Sequence, residues 1–482
     1  MEQIEIVKHT ITIAYDIDAY ANVLKFEYDT ISLDDPALRM DAEALRTYAV
    51  SLGIICLGRF GAILPHRFDI TKYAPWAHPH LLNFFRKTLP FYWSEHRYQL
   101  NALGYRGPEF IFDEAVIGSK AKLPIWQIKE PLPRRVMVAS GSGKDSLLCE
   151  KILEEAGVEY ELFAYLYDLY GNVVHQKNIY DRVLQPFSRK HEHSVRIYDN
   201  YNPWLKERLA SYRVVETMNR HGIIKNFNMN SSEILMASLS MVPIQVIRGI
   251  PLQVFGHEKS ADFSNLTDRK TDESISHQFG KSFHSERYIV KLYKKLFNNI
   301  SKVSIIKPMH DVLIFKLLFE LAGDLPYLTN SCNVKKPWCL RCDKCLYVFS
   351  GFTAFGDPQK TIEAFGADLL DDLEVLSVWE ELLGLRGHIA WECVGHPEET
   401  QLYFYKALGQ GVTGCAIDMF KDKIIGPMTI TQEPTDIHHH FGLMEQRYSK
   451  VHPKHHHMPE WLSEQVLKVL TTTYAGWRRH PE

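Results

Sequence analysis

The chain has 482 residues, of which 45% are hydrophobic, and its 55 Lys and Arg residues nearly balance its 58 Asp and Glu residues. This length suits a globular protein of two to four domains, if one domain takes about 150 residues. The balanced charge argues against a general nucleic-acid binder, which usually carries a basic excess. Neither a signal peptide nor an apolar run of about 18 residues is visible, so we expect a cytoplasmic protein without a membrane span.

Residues 1–128 are predicted to form an α+β module. Apolar and polar residues alternate along residues 10–15 and 24–29, a pattern typical of half-buried strands. Asp41 is placed to cap a helix through DAEALRTYAVSL. No motif in this module indicates chemistry, and the aromatic segment NFFRKTLPFYW is typical of a core. A role in substrate recognition is the only function that we assign to the module.

Residues 129–355 are predicted to form an α/β domain with a parallel sheet. The apolar run RVMVAS is followed by the polar loop SGSGKDS, the amphipathic segment DSLLCEKILEEAG and the apolar run YELFAYLY. This order of strand, loop, helix and strand is typical of a parallel sheet, which binds ligands beyond the carboxyl ends of its strands. Further on, PIQVIRGI and PLQVFGHE predict a helix end and another strand, and the polar residues 256–288 predict loops at the strand ends.

The first loop of this domain has the composition of a phosphate site. Its residues are Ser140, Gly141, Ser142, Gly143, Lys144, Asp145 and Ser146. Glycine allows close approach of backbone N–H groups, the helix start attracts anions and Lys144 adds a cation, so the loop predicts ATP binding. The P-loop spacing fails, because Val138 replaces its first glycine and Asp145 its Ser or Thr.

An aspartate beside a polyphosphate is repelled unless a divalent cation lies between them. We therefore expect Mg²⁺ here, with Asp145 as its direct or indirect partner. The alternative interpretation is a serine–glycine turn that binds no ligand.

Four cysteines crowd into fourteen residues in the segment SCNVKKPWCLRCDKC. They are Cys332, Cys339, Cys342 and Cys345, with the spacing C-x6-C-x2-C-x2-C. Four thiolates close a tetrahedron, so the spacing predicts structural rather than catalytic zinc. An iron–sulfur cluster, a redox pair and buried thiols remain alternatives. Residues 356–482 then read as a helical domain and tail, and we assign no function to the HHH runs at 438–440 and 455–457.

The loop SGSGKDS resembles the SGGxDS motif of the PP-loop ATP pyrophosphatases. That resemblance implies a HUP-like nucleotide-binding fold in which a carboxylate, amide or carbonyl oxygen is adenylated and pyrophosphate leaves. Within this superfamily, the 7-cyano-7-deazaguanine synthases carry a similar four-cysteine cluster.

Three further segments narrow the resemblance: FGHEKSADFSN at 255–265, SHQFGKSFHSE at 276–286 and WECVGHPEE at 391–399. Together with the cysteine segment they resemble the ATP-dependent UDP-N-acetyl-α-D-muramoyl-L-alanyl-L-glutamate epimerase family, over roughly residues 130–400. The chain departs from the family's NExSA and NHQYSKS-like segments. Here His257 precedes the glutamate, Ser276 precedes His277, and Phe279 and Gly280 replace an aromatic–serine pair.

This second resemblance implies that a glutamate-ending, UDP-muramoyl-type peptide is the small-molecule substrate. Its terminal carboxylate is adenylated, its α-carbon is inverted by deprotonation and reprotonation, and the acyl-AMP is hydrolysed. Adenylation makes the α-proton more acidic, because the enolate of a free carboxylate would carry two negative charges. The candidate catalytic side chains are Lys144, Asp145, Glu258, His277, Lys281 and Cys393.

Roles for these side chains follow from their chemistry. Glu258 could touch Mg²⁺, the substrate or the proton, and a surface loop position is its alternative. His277 and Lys281 lie four residues apart, so one helical turn would place both on one face, where they could bind phosphate or carboxylate. Cys393 could carry the α-proton if its thiol is activated, with Glu392 or Glu399 as alternatives.

Other functions fit parts of this pattern. A PP-loop ligase would form an amide or a nitrile from the same acyl-adenylate. A tRNA-modifying PP-loop enzyme would need a basic surface, and a nucleotide-binding scaffold would release no AMP. The sequence carries no signal for an oligomeric state.

Overall fold

The computed structural model describes residues 1–184, 191–211, 231–431 and 433–477. In chain order, its strands are β1 (Gln3–Val7), β2 (Thr10–Ile17), β3 (Tyr20–Tyr28), β4 (Arg67–Asp69), β5 (Glu109–Ile111), β6 (Arg135–Ala139), β7 (Glu159–Tyr167), β8 (Glu192–Asp199), β9 (Leu252–Phe255), β10 (Leu266–Thr267), β11 (Ser274–Ile275) and β12 (Ser301–Ser304).

The α-helices of the same residues alternate with these strands and then continue alone. They are α1 (Pro36–Arg39), α2 (Ala42–Leu57), α3 (Pro79–Tyr92), α4 (Ser94–Gln99), α5 (Lys144–Glu155), α6 (Val173–Leu184), α7 (Tyr201–Ser211), α8 (Glu233–Ser240), α9 (Val242–Arg248), α10 (Phe283–Leu296), α11 (Asp311–Ala322), α12 (Asp343–Phe355), α13 (Pro358–Phe365), α14 (Leu376–Leu382), α15 (Pro397–Gly409), α16 (Cys415–Phe420), α17 (Gly426–Thr431), α18 (Pro434–Tyr448) and α19 (Glu460–Trp477).

Eight of the described strands form one mixed sheet in the order β1-β2-β3-β8-β7-β6-β9-β12. Strands β8, β7, β6, β9 and β12 run parallel. Val136, Met137 and Val138 in β6 are completely buried, as expected of a parallel strand covered on both faces. The predicted parallel sheet and the helical C-terminal region are both confirmed.

The N-terminal strands extend this sheet rather than forming a separate one. Strand β3 pairs antiparallel with β8, and Leu24 lies opposite Asp199. The predicted strand alternation in residues 10–15 and 24–29 is confirmed, and Asp41 accepts a hydrogen bond from the Glu43 N–H as the N-cap of α2. Strands from both sides of residue 128 share one sheet. The predicted domain boundary between residues 128 and 129 therefore stays a prediction.

A buried ion pair fastens the N-terminal residues to the parallel sheet. Arg59 donates from Nε to Asp199 Oδ2 over 2.9 Å, and neither side chain is exposed. Asp199 also accepts from Tyr167 Oη at 2.9 Å, while Arg59 donates to the Cys56 carbonyl at 3.0 Å and to Asn22 Oδ1. The pair therefore has the additional hydrogen bonds that a buried charge requires.

Replacing Arg59 with methionine is expected to lower the free energy of unfolding by about 3–5 kcal/mol, because Asp199 would keep a buried charge without its partner. Thermal or urea unfolding measures this change. The matched control is Arg39→Met, which removes an exposed pair with Asp34 and is expected to cost less than about 1 kcal/mol. Equal losses in the two variants would show that the Arg59 pair does not hold the sheet together.

Within the described ranges, no helix combines the length and the apolar character that crossing a membrane requires. Most aromatic side chains of the segment NFFRKTLPFYW are buried in the core as predicted: Phe84, Phe85, Tyr92 and Trp93 are at most 6% exposed, whereas Phe91 is 47% exposed.

Candidate active site

The loop between β6 and α5 has an open, glycine-rich surface. A Cβ placed on Gly141 would meet nothing within 4 Å, and Ser142 has a positive φ of 59°. The N-cap residue of α5 is Gly143, which has no side chain of its own to cap the helix. The loop is held from behind by the Asn330 N–H, which donates to the Ser142 carbonyl at 2.9 Å, and by Ser331 Oγ, which accepts from the Lys144 N–H at 3.3 Å. An open loop that leads into a helix start fits an anionic phosphate group.

Gly256 brings a second strand end against this loop. A Cβ at this position would lie 2.9 Å from Asp145 Cβ and 3.1 Å from the Asp145 carbonyl oxygen. Only glycine therefore allows the chain that leaves β9 to pass so close to Asp145. This approach places the segment that begins at His257 beside the start of α5.

Lys144 lies between two carboxylates. Its Nζ is 2.6 Å from Asp145 Oδ1 and 2.5 Å from Asp311 Oδ1, and the side chain is not exposed. Burial lowers the pKa of Lys144, but Asp145 and Asp311 outweigh it and hold the pKa above its ordinary value. The ammonium thus offsets part of the negative charge of the acidic pair, and its predicted contact with a phosphate stays a prediction.

Glu258 is a buried carboxylate without a hydrogen bond to its side chain among the described residues. Lys281 Nζ lies 3.7 Å from its Oε1. Burial raises the pKa of Glu258, but Lys281, Lys344 and Lys144 together lower it to about 2. An ionised carboxylate with free lone pairs fits a divalent cation, as does Asp145, which is 18% exposed.

His277 and Lys281 do not share a helix, so the predicted helical turn is wrong. Residues Phe279–Lys281 form a 3₁₀ turn, and α10 begins only at Phe283, where Ser282 Oγ accepts from the Ser285 N–H. A Cβ at Gly280 would lie 3.3 Å from Cε1 of Tyr92, so the glycine allows the turn to pack closely against this ring. The turn nevertheless directs both side chains into the same site.

His277 is held between two segments that are distant in sequence. Its Nδ1 lies 2.8 Å from Glu95 Oε2, and its Nε2 lies 3.9 Å from Glu392 Oε1. Cys393 Sγ falls within 4.8 Å of the ligand atoms of both His277 and Glu392. Burial lowers the pKa of His277, but Glu95 and Cys393 raise it well above its ordinary value. Glu95 thus orients an imidazolium that lies beside the Cys393 thiol.

Two side chains fix the loops of this site. Asn265 accepts from the His277 N–H at 2.8 Å and donates to the Ala390 carbonyl at 2.7 Å. Lys307 Nζ, which is not exposed, donates to the carbonyls of Glu258 at 2.6 Å and Lys281 at 2.8 Å. Together these bonds hold the three segments that the sequence singled out at one place.

Glu233 at the start of α8 adds a titratable group that the sequence analysis missed. Tyr170 Oη donates to its Oε2, and the next residue, Ile234, packs against Gly280. Burial raises the pKa of Glu233 to about 7, against smaller opposite effects of Tyr170, Lys336 and Lys281. A carboxyl group with this pKa can both donate and accept a proton near neutral pH.

The sequence analysis also missed Glu95, Asp311, Lys307 and Lys344. Of these four residues, only Lys344 could have been found from the sequence, because it lies inside the cysteine segment. Glu399, considered as a proton carrier, accepts from the backbone N–H groups of Val312 and His396, and burial raises its pKa to about 8, so its role stays a prediction.

The four cysteines of the predicted metal site do come together. Cys332 Sγ lies 3.9 Å from Cys342 Sγ, which lies 3.5 Å from Cys345 Sγ, and Cys339 Sγ lies 3.7 Å from Cys345 Sγ. Four sulfurs at about 2.3 Å from a zinc ion would be about 3.8 Å apart in a regular tetrahedron. The cluster could therefore bind a metal ion, and its dimensions are compatible with structural zinc.

The cysteine segment touches both halves of the candidate active site. Asn330 and Ser331, which precede Cys332, contact the phosphate-type loop as described above. On the other side, Asn333 Nδ2 donates to Glu392 Oε1 at 2.8 Å, and Lys344 Nζ donates to the Cys393 carbonyl. A metal ion in the cluster would thus order the loop and the Cys393 segment together.

These features define a class of protein: a mixed α/β fold with a buried, charged site at the carboxyl ends of parallel strands, next to a cysteine cluster that could bind a metal. A family model described as the MurL C-terminal domain matches residues 327–411, which include this cluster and Cys393. The match supports a MurL-like family.

Curated relatives agree with this match. The UDP-N-acetyl-alpha-D-muramoyl-L-alanyl-L-glutamate epimerases of Salinispora tropica and Micromonospora sp. are each 29% identical over 171 residues, or 34% of this chain and 37% and 38% of theirs. The epimerase of Xanthomonas oryzae pv. oryzae is 24% identical over 183 residues, 36% of this chain and 38% of its own. The chain matches less than two fifths of the length of these relatives.

Proposed function

We propose that this protein is an ATP-dependent epimerase that inverts the terminal residue of a glutamate-ending, UDP-muramoyl-type peptide. One observation carries the proposal: Lys281, Glu258, His277 and Cys393 converge beside the glycine-rich loop at Ser140–Ser146. The names of the relatives support the substrate class. The PP-loop assignment, ATP binding and the domain division belong to this proposal.

The loop and its acidic neighbours would serve the activation step. The backbone N–H groups of the loop and the start of α5 would bind phosphate oxygens. Asp145 and Glu258 would hold Mg²⁺, which when bound offsets the negative charge of the phosphates. Lys281, whose pKa is raised by Cys393 and Glu258 despite burial, would bind the substrate carboxylate and later the enolate oxygen.

The proton transfers would use two groups on different segments. Cys393, activated by the His277 imidazolium that Glu95 orients, would carry a proton on one face of the α-carbon. Glu233 and its partner Tyr170 would carry it on the other face. Such a pair suits an inversion, because the proton leaves one face and returns on the opposite face.

The Cys393–His277–Glu95 arrangement also favours a second candidate function. A thiolate beside an acyl-adenylate could attack its carbonyl carbon, release AMP and form a thioester for an amine. The protein would then be a ligase that forms an amide, as in the PP-loop ligase alternative.

Turnover in D₂O separates the two functions. The enzyme is incubated with ATP, Mg²⁺ and UDP-N-acetylmuramoyl-L-Ala-L-Glu, and the products are analysed by mass spectrometry and chiral chromatography. Epimerisation gives AMP, pyrophosphate and deuterium at the glutamate α-carbon. A ligase gives AMP and a new amide when an amine is added, without deuterium at that carbon. Absence of AMP with this substrate and with simpler carboxylates contradicts both.

Asp145→Asn is expected to lower ATP–pyrophosphate exchange at least about 100-fold, because it removes a charge that would hold Mg²⁺ and keeps the size of the side chain. The fold should survive, since Lys144 keeps its bond to Asp311. The matched control is Glu154→Gln on the same helix, which removes an exposed charge that pairs with Lys151 and accepts from Tyr160 Oη. Wild-type exchange by the Asp145 variant would show that this carboxylate takes no part in activation.

A further inference from the structure

A cavity lies beside the candidate active site. Its volume is about 1010 Å³, and it opens between the segment 259–263, which follows β9, and residues 443–453 at the end of α18. This volume is at the upper end of the range of small-molecule sites. None of the side chains assigned above to proton transfer or to phosphate binding lines it.

The wall of this cavity carries an excess of positive charge. Lys259, Arg447 and Lys450 line it. Of the acidic groups nearby, Asp262 is engaged on both oxygens, by Lys307 Nζ at 3.2 Å and by His455 Nε2 at 2.6 Å. Glu398 accepts from Arg447 at 3.1 Å and from Tyr448 Oη at 2.5 Å. Lys259 and Lys450 therefore have no acidic partner of their own among the described residues that line the cavity.

Two histidines on the same wall respond to this charge. Burial lowers the pKa of His452, and Lys259, His455 and Lys450 lower it further. Burial lowers the pKa of His310 to about 3, and Lys259 and His452 add to the effect. His452 Nε2 is buried and has no hydrogen-bond partner within the described part of the chain. A neutral imidazole nitrogen and an unbalanced positive charge both suit an anionic, hydrogen-bonding ligand.

Aromatic rings form the rest of the wall. Phe263 stacks on His310 with ring centroids 5.7 Å apart and an angle of 20° between the rings. Tyr448 meets His310 edge-on at 5.1 Å, and Arg447 lies over the Tyr448 ring at 5.2 Å. Aromatic faces bind the flat base of a nucleotide, and the neighbouring cations bind its phosphates.

The cavity shares its inner wall with the candidate active site. Lys259 follows Glu258 directly, and His310 precedes Asp311, the partner of Lys144. Lys307 contacts both sides, since it binds Asp262 at the cavity and the Glu258 carbonyl at the site. A long ligand with a charged head in the cavity could therefore extend its tail toward Lys281.

We infer that this cavity binds the nucleoside diphosphate head of the nucleotide-sugar peptide, with Arg447 and Lys450 on the diphosphate and the Phe263–His310 stack beside the base. This inference rests on the proposed function, which supplies a substrate with such a head. ATP carries the same chemistry, but the proposed function already places ATP at the loop 140–146. The uridine nucleotide is therefore the occupant that we assign.

Calorimetric titration of the full chain with UDP tests the inference without turnover. UDP is expected to bind with one site per chain, and Arg447→Met with Lys450→Met should weaken its binding at least tenfold. Both side chains are exposed, so the fold should be retained, and thermal unfolding checks this. The control with the same charge change is Lys360→Met with Lys423→Met, at exposed positions outside the cavity, and should bind UDP as the wild type does.

The outcomes are distinct. Failure of UDP to bind the wild type, or equal binding to both double variants, overturns the inference. If the Arg447 and Lys450 variant loses ADP binding but not UDP binding, the cavity belongs to the adenine nucleotide and the assignment is also overturned. UDP binding that depends on Arg447 and Lys450, in a protein that incorporates no deuterium, would instead contradict only the proposed epimerisation.

Discussion

Cys393→Ala is expected to slow epimerisation by about 10²–10⁴-fold while ATP–pyrophosphate exchange continues at close to the wild-type rate. The thiol lies beside His277 and is not part of the glycine-rich loop, so its loss should remove a proton carrier and leave the activation step intact. The measurements are chiral analysis of the product, deuterium at the α-carbon and exchange of labelled pyrophosphate into ATP.

The direction of exchange makes this prediction sharper. If Glu233 is the other proton carrier, the Cys393 variant should still exchange the α-proton of one epimer, and Glu233→Gln should exchange only that of the other epimer. The control is Cys415→Ala, a half-exposed thiol outside the site, which should behave as the wild type. Inversion by the Cys393 variant within tenfold of wild type would contradict a proton-carrying thiol. Loss of pyrophosphate exchange as well would point to a structural role.

Cys342→Ser is expected to remove the bound metal and to lower the free energy of unfolding by more than about 4 kcal/mol, because structural zinc contributes directly to folding. Cys342 Sγ is near both Cys332 Sγ and Cys345 Sγ, so its loss removes one of the four sulfur ligands of the tetrahedron. Metal analysis by mass spectrometry and thermal unfolding measure the two effects, with Cys415→Ser as the control for a thiol outside the cluster.

Metal stoichiometry also tests the alternatives. One zinc per chain is expected in the wild type and none in the Cys342 variant. Detection of iron and acid-labile sulfide would show that the four cysteines bind an iron–sulfur cluster instead of zinc. Two zinc ions per chain, one of them retained after Cys342→Ser, would place a second metal at His277, Glu392 and Cys393. A stable, metal-free wild type would contradict the structural site altogether.

Local features of this fold could be predicted from the sequence. The alternation in β2 and β3, the Asp41 cap, and the unit of β6, α5 and β7 each depend on residues that are close in the chain. The cysteine spacing likewise holds its ligands within one short segment, so its geometry followed from the spacing. These predictions succeed because short-range sterics and periodicity decide them.

The partners of the site could not be predicted in this way. Glu95 lies 182 residues before His277, and Asp311 lies 167 residues after Lys144. Nothing local marks either carboxylate, since each becomes a partner only when the sheet is assembled. The wrong helical turn at 277–281 has a local cause, because Ser282 caps α10 one residue after Lys281. A Ser followed by a strongly amphipathic helix was the signal that could have corrected it.

The pairing of β3 with β8 has a practical consequence for any attempt to isolate the residues that follow 128. A fragment that begins at residue 129 would leave β8 as an unprotected edge with a row of free N–H and C=O groups. It would also leave Asp199 without Arg59 and uncover the apolar face on which the N-terminal helices pack. Such a fragment should self-associate through its open edge, so the N-terminal strands act as a built-in protection against aggregation.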